Sequence, residues 1–175
     1  IVSILFCMVL KLVGKAYGKI PNKYSRIVVA AGIIIVVNLL LQTTDYMGAG
    51  TELIVKAVQF GEARPWDFFW KLVLTALTMK AGFKGGEIVP SFFIGSTFGC
   101  IFGQLIGLPA EFTASLGMIG VFCGVTNCPI ASAVLAVELF GTNGFILFAA
   151  AAFSSRVFSG KVSLYHKQKA KELKC

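Results

Sequence analysis

Lys84-Gly85-Gly86-Glu87-Ile88-Val89-Pro90 opens a run from Ile88 to Ala110 that carries no charged residue. A glycine pair, an apolar stretch closed by proline and a membrane-length apolar run together describe a helix that starts inside or beside a bilayer. The first amides of a helix have no partner within it and carry partial positive charge, so such a start attracts anions. Gly85 and Gly86 permit backbone angles closed to other residues and let the chain turn sharply into the helix. Pro90 sets the first turn and leaves the amides of Glu87, Ile88 and Val89 free. Those amides could hold a dehydrated anion without any full positive charge, weakly enough to release it. A helix start with no ligand accounts for the same residues. The Glu87 carboxylate would repel an anion, so its side chain is expected to point away, toward Lys84 or the cytoplasmic side.

The rest of the chain sets this start in a membrane. Of its 175 residues, 57% are hydrophobic and 14% charged, where an ordinary soluble domain is about 25% charged. The deficit is local: from Ile88 to Ser155 the only charged side chains are Glu111 and Glu138. Lipid must be the solvent for much of that surface. The net charge of +8 does not point to nucleic acid. Lys11, Lys15, Lys19, Lys23 and Arg26 share one polar connection. Arg156, Lys161, Lys167, Lys169, Lys171 and Lys174 lie toward the C-terminus. Both groups flank apolar segments, so both ends are expected on the cytoplasmic side. Trp66 and Trp70, beside Phe68 and Phe69, read as an aromatic belt at the membrane interface.

Periodicity and breakers divide the chain into helical segments at 1–17, 26–43, 66–79, 88–108, 113–125, Pro129–Phe140, 145–158 and 162–174. A short amphipathic helix with Thr51 as its N-cap is expected between the second and third of these. Gly95, Gly99, Gly103 and Gly107 recur every four residues and form one stripe for close helix packing. Several segments are too short to cross a bilayer alone. The expected fold is therefore an all-α membrane protein, a multi-span bundle of tilted, discontinuous helices of the kind transporters use. The chain opens at Ile1 within an apolar stretch and is expected to be cut inside a transmembrane helix.

Chemistry-bearing residues are few. Tyr165, in Ser163-Leu164-Tyr165, could donate one hydrogen bond to an anion without adding charge, although an interfacial tyrosine is the simpler account. Glu138, at the end of Pro129–Phe140, suits a structural place at the headgroup level better than a functional one. Cys7, Cys100, Cys123, Cys128 and Cys175 form no C-x-x-C pair and read as small thiols, three of them in apolar segments. With His166 the only histidine, no metal cluster is expected. Walker-type, G-x-S-x-G and H-E-x-x-H motifs are missing, so neither an enzyme nor a cofactor is expected.

Gly85-Gly86-Glu87-Ile88-Val89-Pro90 with Ser91-Phe92-Phe93-Ile94-Gly95 resembles the Gly-x-Phe-x-Pro motif of the CLC family of chloride channels and chloride/proton antiporters. Residues 117–140 resemble the paired short helices that follow it, and Ser163-Leu164-Tyr165 resembles the family's tyrosine-bearing last helix. The resemblance implies an inverted repeat of two membrane halves. Residues 1–175 would be most of the second half, a partial transmembrane domain without the first half and without a CBS domain. It implies that the backbone amides of Glu87 and Ile88 and the hydroxyl of Tyr165 hold the central chloride, supported by Gly85, Gly86 and Pro90. Ile88 stands where the motif usually has phenylalanine. The family's other chloride motifs, with the gating glutamate, are not in this chain, so channel and antiporter are not separated. Homodimers are implied, with Pro129–Phe140 and 145–158 at the interface. So are chloride as the transported ligand, protons as a second partner, and a bacterial cell membrane. Another small anion, fluoride or nitrate, is an alternative cargo. A non-transporting fragment is a further alternative.

Overall fold

The computed structural model describes residues 1–20, 22–43, 45–83 and 85–159. They form eight α-helices and no strand: α1 (Val2–Gly18), α2 (Lys23–Leu41), α3 (Thr51–Val55), α4 (Asp67–Ala81), α5 (Ile88–Ile106), α6 (Ala110–Thr126), α7 (Pro129–Phe140) and α8 (Phe145–Ser159). The all-α reading holds among the described residues. The expected helix at 162–174 lies outside them.

Most helix ends follow from local chemistry. The Asn22 side chain accepts from the Tyr24 amide at 3.3 Å, which starts α2 earlier than the hydrophobic pattern predicts. Thr51 is not the cap of α3. Gly50 takes that place at φ +70, and no side-chain oxygen bonds the helix start. α3 runs on as a π-helical turn, Lys56–Phe60, closed by Gly61 at φ +63. Pro129 occupies the first turn of α7, where a missing N–H does no harm.

The centre of the bundle is the pair α5 and α6. A Cβ added to Gly95 would lie 2.6 Å from the Gly117 carbonyl oxygen and 2.7 Å from Met118 Cα. One added to Gly117 would lie 2.8 Å from Gly99 Cα, and Gly103 faces the Thr113 side chain. The two backbones touch, so the glycines are there for approach. Gly107 leaves the expected stripe: at φ +73 it caps α5 and meets no neighbour.

Larger side chains seal this pair on two sides. On one, Phe6 and Leu10 of α1 and Leu72 and Ala76 of α4 pack with Ile94, Val121 and Val125. On the other, Ala136 of α7 and Phe148 and Ala152 of α8 pack with Ile119 and Cys123. Two serines of α8 donate to carbonyls of α6, Ser155 Oγ to Gly120 O at 2.5 Å and Ser159 Oγ to Gly124 O at 2.6 Å.

Among the described residues two helices are long and apolar enough to cross a membrane, Tyr24–Leu41 and Ile88–Ile106; α6, α7 and α8 are apolar but shorter. Only 11% of the first span is buried against 50% of the second. Val28, Leu39 and Leu40 of α2 accordingly face outward. The cysteines Cys7, Cys100 and Cys123 are buried, as expected, and Cys128 is half-buried. The aromatic belt divides. Trp66 and Phe69 are exposed, whereas Phe68 turns inward onto Phe98 with ring centroids 5.5 Å apart.

Candidate functional site

The start of α5 is open. The sharp turn before it is made at Gly82, which ends α4 at φ +107. Gly85 and Gly86 are not in the left-handed region, so the turn assigned to the pair belongs to Gly82. What the pair supplies is space. A Cβ on Gly86 would meet nothing within 4 Å, and one on Gly85 only the Met79 sulfur at 3.5 Å.

Glu87 is the N-cap of α5, and no side-chain oxygen bonds the helix start. The first amide to be used is that of Ser91, which donates to Glu87 O at 3.2 Å. Among the described residues the amides of Ile88 and Val89 meet no backbone carbonyl acceptor, and Pro90 has no N–H. Ile88 is 42% exposed and Glu87, Val89 and Pro90 are half-buried, so the start of α5 borders the surface of the described chain. Lys84, the expected partner of Glu87, and Tyr165, the expected second donor, both lie outside the described residues. Glu138 is exposed near the end of α7. No group of three or more metal-ligating side chains occurs among the described residues.

Behind the motif lies a cavity of about 560 Å³, walled by α2, the loop after it, α4 and the residues Gly85, Gly86, Val89 and Pro90. It contains Lys71, which is 2% exposed. The ammonium donates to the carbonyl oxygens of Gly48 at 2.7 Å and Tyr46 at 3.1 Å, and stands 5.0 Å from the centre of the Phe93 ring. All its close partners are neutral: among the described residues no carboxylate comes within 4.0 Å of it.

One turn earlier on α4, Asp67 is 1% exposed. Its carboxylate accepts from Tyr46 Oη at 2.6 Å and from the Arg64 amide at 3.1 Å. Its place in the first turn of α4 also lets the helix amides stabilise its charge. Arg64 itself reaches Asp45 at 3.4 Å on the surface. Burial, and then the Asp67 carboxylate, push the Tyr46 phenol well above the usual tyrosine range. Tyr46 therefore joins the two charges, bonding the anion through its hydroxyl and the cation through its carbonyl.

The loop that carries these carbonyls needs a glycine at position 50. Gly50 has φ +70, and an added Cβ would lie 2.7 Å from the Phe93 ring and 3.3 Å from Lys71 Nζ. Across the cavity, Asn38 of α2 donates through Nδ2 to Ile34 O at 2.8 Å, and its Oδ1 is buried without a partner among the described residues.

Sequence reasoning missed Asp67, Lys71 and Tyr46. The signal for Lys71 was present: it interrupts an otherwise apolar helical stretch of a membrane protein, the pattern that marks a functional position by default. Tyr46 sits in a turn-rich connection and carries no comparable signal.

Comparison with known proteins identifies the family and the fold. Residues 1–160 match the family model described as voltage gated chloride channel. The chain is 38% identical over 147 residues to the chloride/fluoride channel protein of Pseudomonas syringae pv. tomato, covering 80% of this chain and 32% of that protein. It is 39% identical over 71 residues to an uncharacterized protein of Methanocaldococcus jannaschii, covering 41% and 18% respectively. The crystal structure of a CLC-type fluoride/proton antiporter superposes with a TM-score of 0.91 at 33% identity, over 96% of this chain and 43% of that one. The chain thus spans a third or less of the two relatives and under half of the solved antiporter.

Proposed function

The chain belongs to the voltage gated chloride channel family, and on that premise we propose that it is the second membrane half of a transporter for small halide anions. The ion is held by the backbone amides of Glu87 and Ile88, with the Tyr165 hydroxyl as a further donor. The observation that carries this reading is the open start of α5, where no side chain caps the helix and the two glycines before it leave room. Backbone donors suit transport because they neutralise only part of the ion's charge and let it leave. They also tolerate isoleucine at position 88, since its side chain takes no part.

Fluoride stands beside chloride as the cargo. The Pseudomonas syringae relative is named for both ions, and the solved antiporter for fluoride and protons. Fluoride is the smaller ion and the stronger hydrogen-bond acceptor, and it profits more from bare amides. Proton coupling and the cell membrane of a bacterium complete the proposal. A homodimer through Pro129–Phe140 and 145–158 is supported by Ile130, Val134, Ile146 and Val157, which leave an apolar face uncovered on α7 and α8.

The test is halide efflux from liposomes carrying the complete protein, read with fluoride and chloride electrodes. Release of either halide above protein-free liposomes supports the proposal. Release of neither overturns it.

A further inference from the structure

The Lys71 ammonium is a buried charge whose contacts are two carbonyl oxygens and a ring. Such contacts satisfy its hydrogen bonds without cancelling its charge. The one nearby buried carboxylate, Asp67, is turned to Tyr46 Oη and the Arg64 amide instead. An isolated charge in a membrane interior is costly and persists where something else uses it. Here it borders the same cavity as Gly85, Gly86, Val89 and Pro90 at the start of α5. Glu87 and Ile88 stand outside the lining of that cavity, so the ammonium acts on an anion at their amides only through space, in surroundings where charges are poorly screened.

We propose that Lys71 is a positioning residue for the anion, a fixed positive charge that raises anion occupancy at the start of α5 by its field and without touching the ion. The ligand is a small monovalent anion, a halide. This rests on the transport reading above and adds to it the source of the site's charge. A lysine held in place by two carbonyls and packed on a ring acts on the anion through its field rather than by direct contact, and so does not slow its release. Asp67 has the opposite sign and weakens the same field.

Those opposite signs supply the test. Fluoride and chloride binding to the complete, detergent-solubilised protein is measured by titration calorimetry for the wild type, Lys71→Gln, Lys71→Arg and Asp67→Asn. The expected result is a Kd about tenfold higher in Lys71→Gln, within about threefold of wild type in Lys71→Arg, and about threefold lower in Asp67→Asn. A purely structural cluster would make every substitution loosen the same loop, and binding would weaken in all three. Equal or same-direction shifts in Lys71→Gln and Asp67→Asn overturn the proposal. Should Lys71→Gln fail to fold, Asp67→Asn decides alone: tighter binding supports the field, while unchanged or weaker binding overturns it. A wild type that binds neither halide overturns the transport reading itself, a separate outcome.

Discussion

Two polar regions that border one cavity are built on opposite principles. At the start of α5 no side chain caps the backbone donors, and the glycines before them have space around them. In the cluster of Tyr46, Asp67 and Lys71 the polar groups are buried and closely partnered. A site meant to receive an ion has to stay unsatisfied. A cluster meant to hold charges in place has to be complete, because each unmet buried polar group costs about 1–3 kcal/mol. The two regions should therefore respond differently to mutation: the cluster through stability together with the field it exerts on anion binding, the open start through function alone.

The largest loss should follow Lys71→Met. It strips the Tyr46 and Gly48 carbonyls of their donor and removes the contact with Phe93. A loss of about 2–4 kcal/mol is expected, visible as a clear drop in the thermal midpoint. Gly50→Ala comes next, at about 1–3 kcal/mol. The new methyl group forces a left-handed residue onto the Phe93 ring. If the midpoint stays at the wild-type value, the close approach of that loop to α5 is wrong.

Tyr46→Phe takes one donor from Asp67 and should cost about 1–2 kcal/mol at neutral pH. It also has a pH signature. The folded protein keeps the Tyr46 proton to higher pH than the unfolded chain, which releases it near the usual tyrosine value of about 10. The stability contributed by this difference is complete below that pH and is lost as pH rises toward the folded value. Unfolding curves from neutral to strongly alkaline pH should fall less steeply in Tyr46→Phe than in wild type. Parallel curves would mean that Tyr46 and Asp67 do not share the proton as the geometry requires.

Gly86→Ala sharpens the contrast from the other side. An added methyl group meets nothing and the backbone is not left-handed, so stability should move by no more than about 0.5 kcal/mol. The methyl group narrows the space beside the α5 amides, and halide efflux should fall severalfold. The smallest effect is Asn38→Leu. It removes a buried acceptor with no partner among the described residues, offset by loss of the Nδ2 bond to Ile34 O, and should stabilise the protein by less than about 0.5 kcal/mol with efflux unchanged.

The sequence made the frame legible where one residue type has one local job. Proline at the start of α7, and glycine at 95, 99 and 103, could be assigned because breaks and close approach are properties of short stretches. The same reasoning misplaced Thr51, Gly85 with Gly86, and Gly107. In each case a neighbouring residue, or another role for the same one, met the local backbone need. Gly50 caps α3, Gly82 makes the turn, and Gly107 ends α5. The buried cluster was out of reach for a different reason. Tyr46 and Lys71 are joined across 25 positions by a fold that periodicity does not show.

The central claim is that a halide sits on the amides that open α5. It is tested most directly by anomalous diffraction from crystals of the complete protein grown in bromide, with the heavier halide standing in for the transported ion. The account predicts a bromide peak about 3–3.5 Å from the backbone nitrogens of Glu87 and Ile88, allowing for the ion's larger radius. Bromide transport by the same protein, with no anomalous peak at those amides, would contradict it.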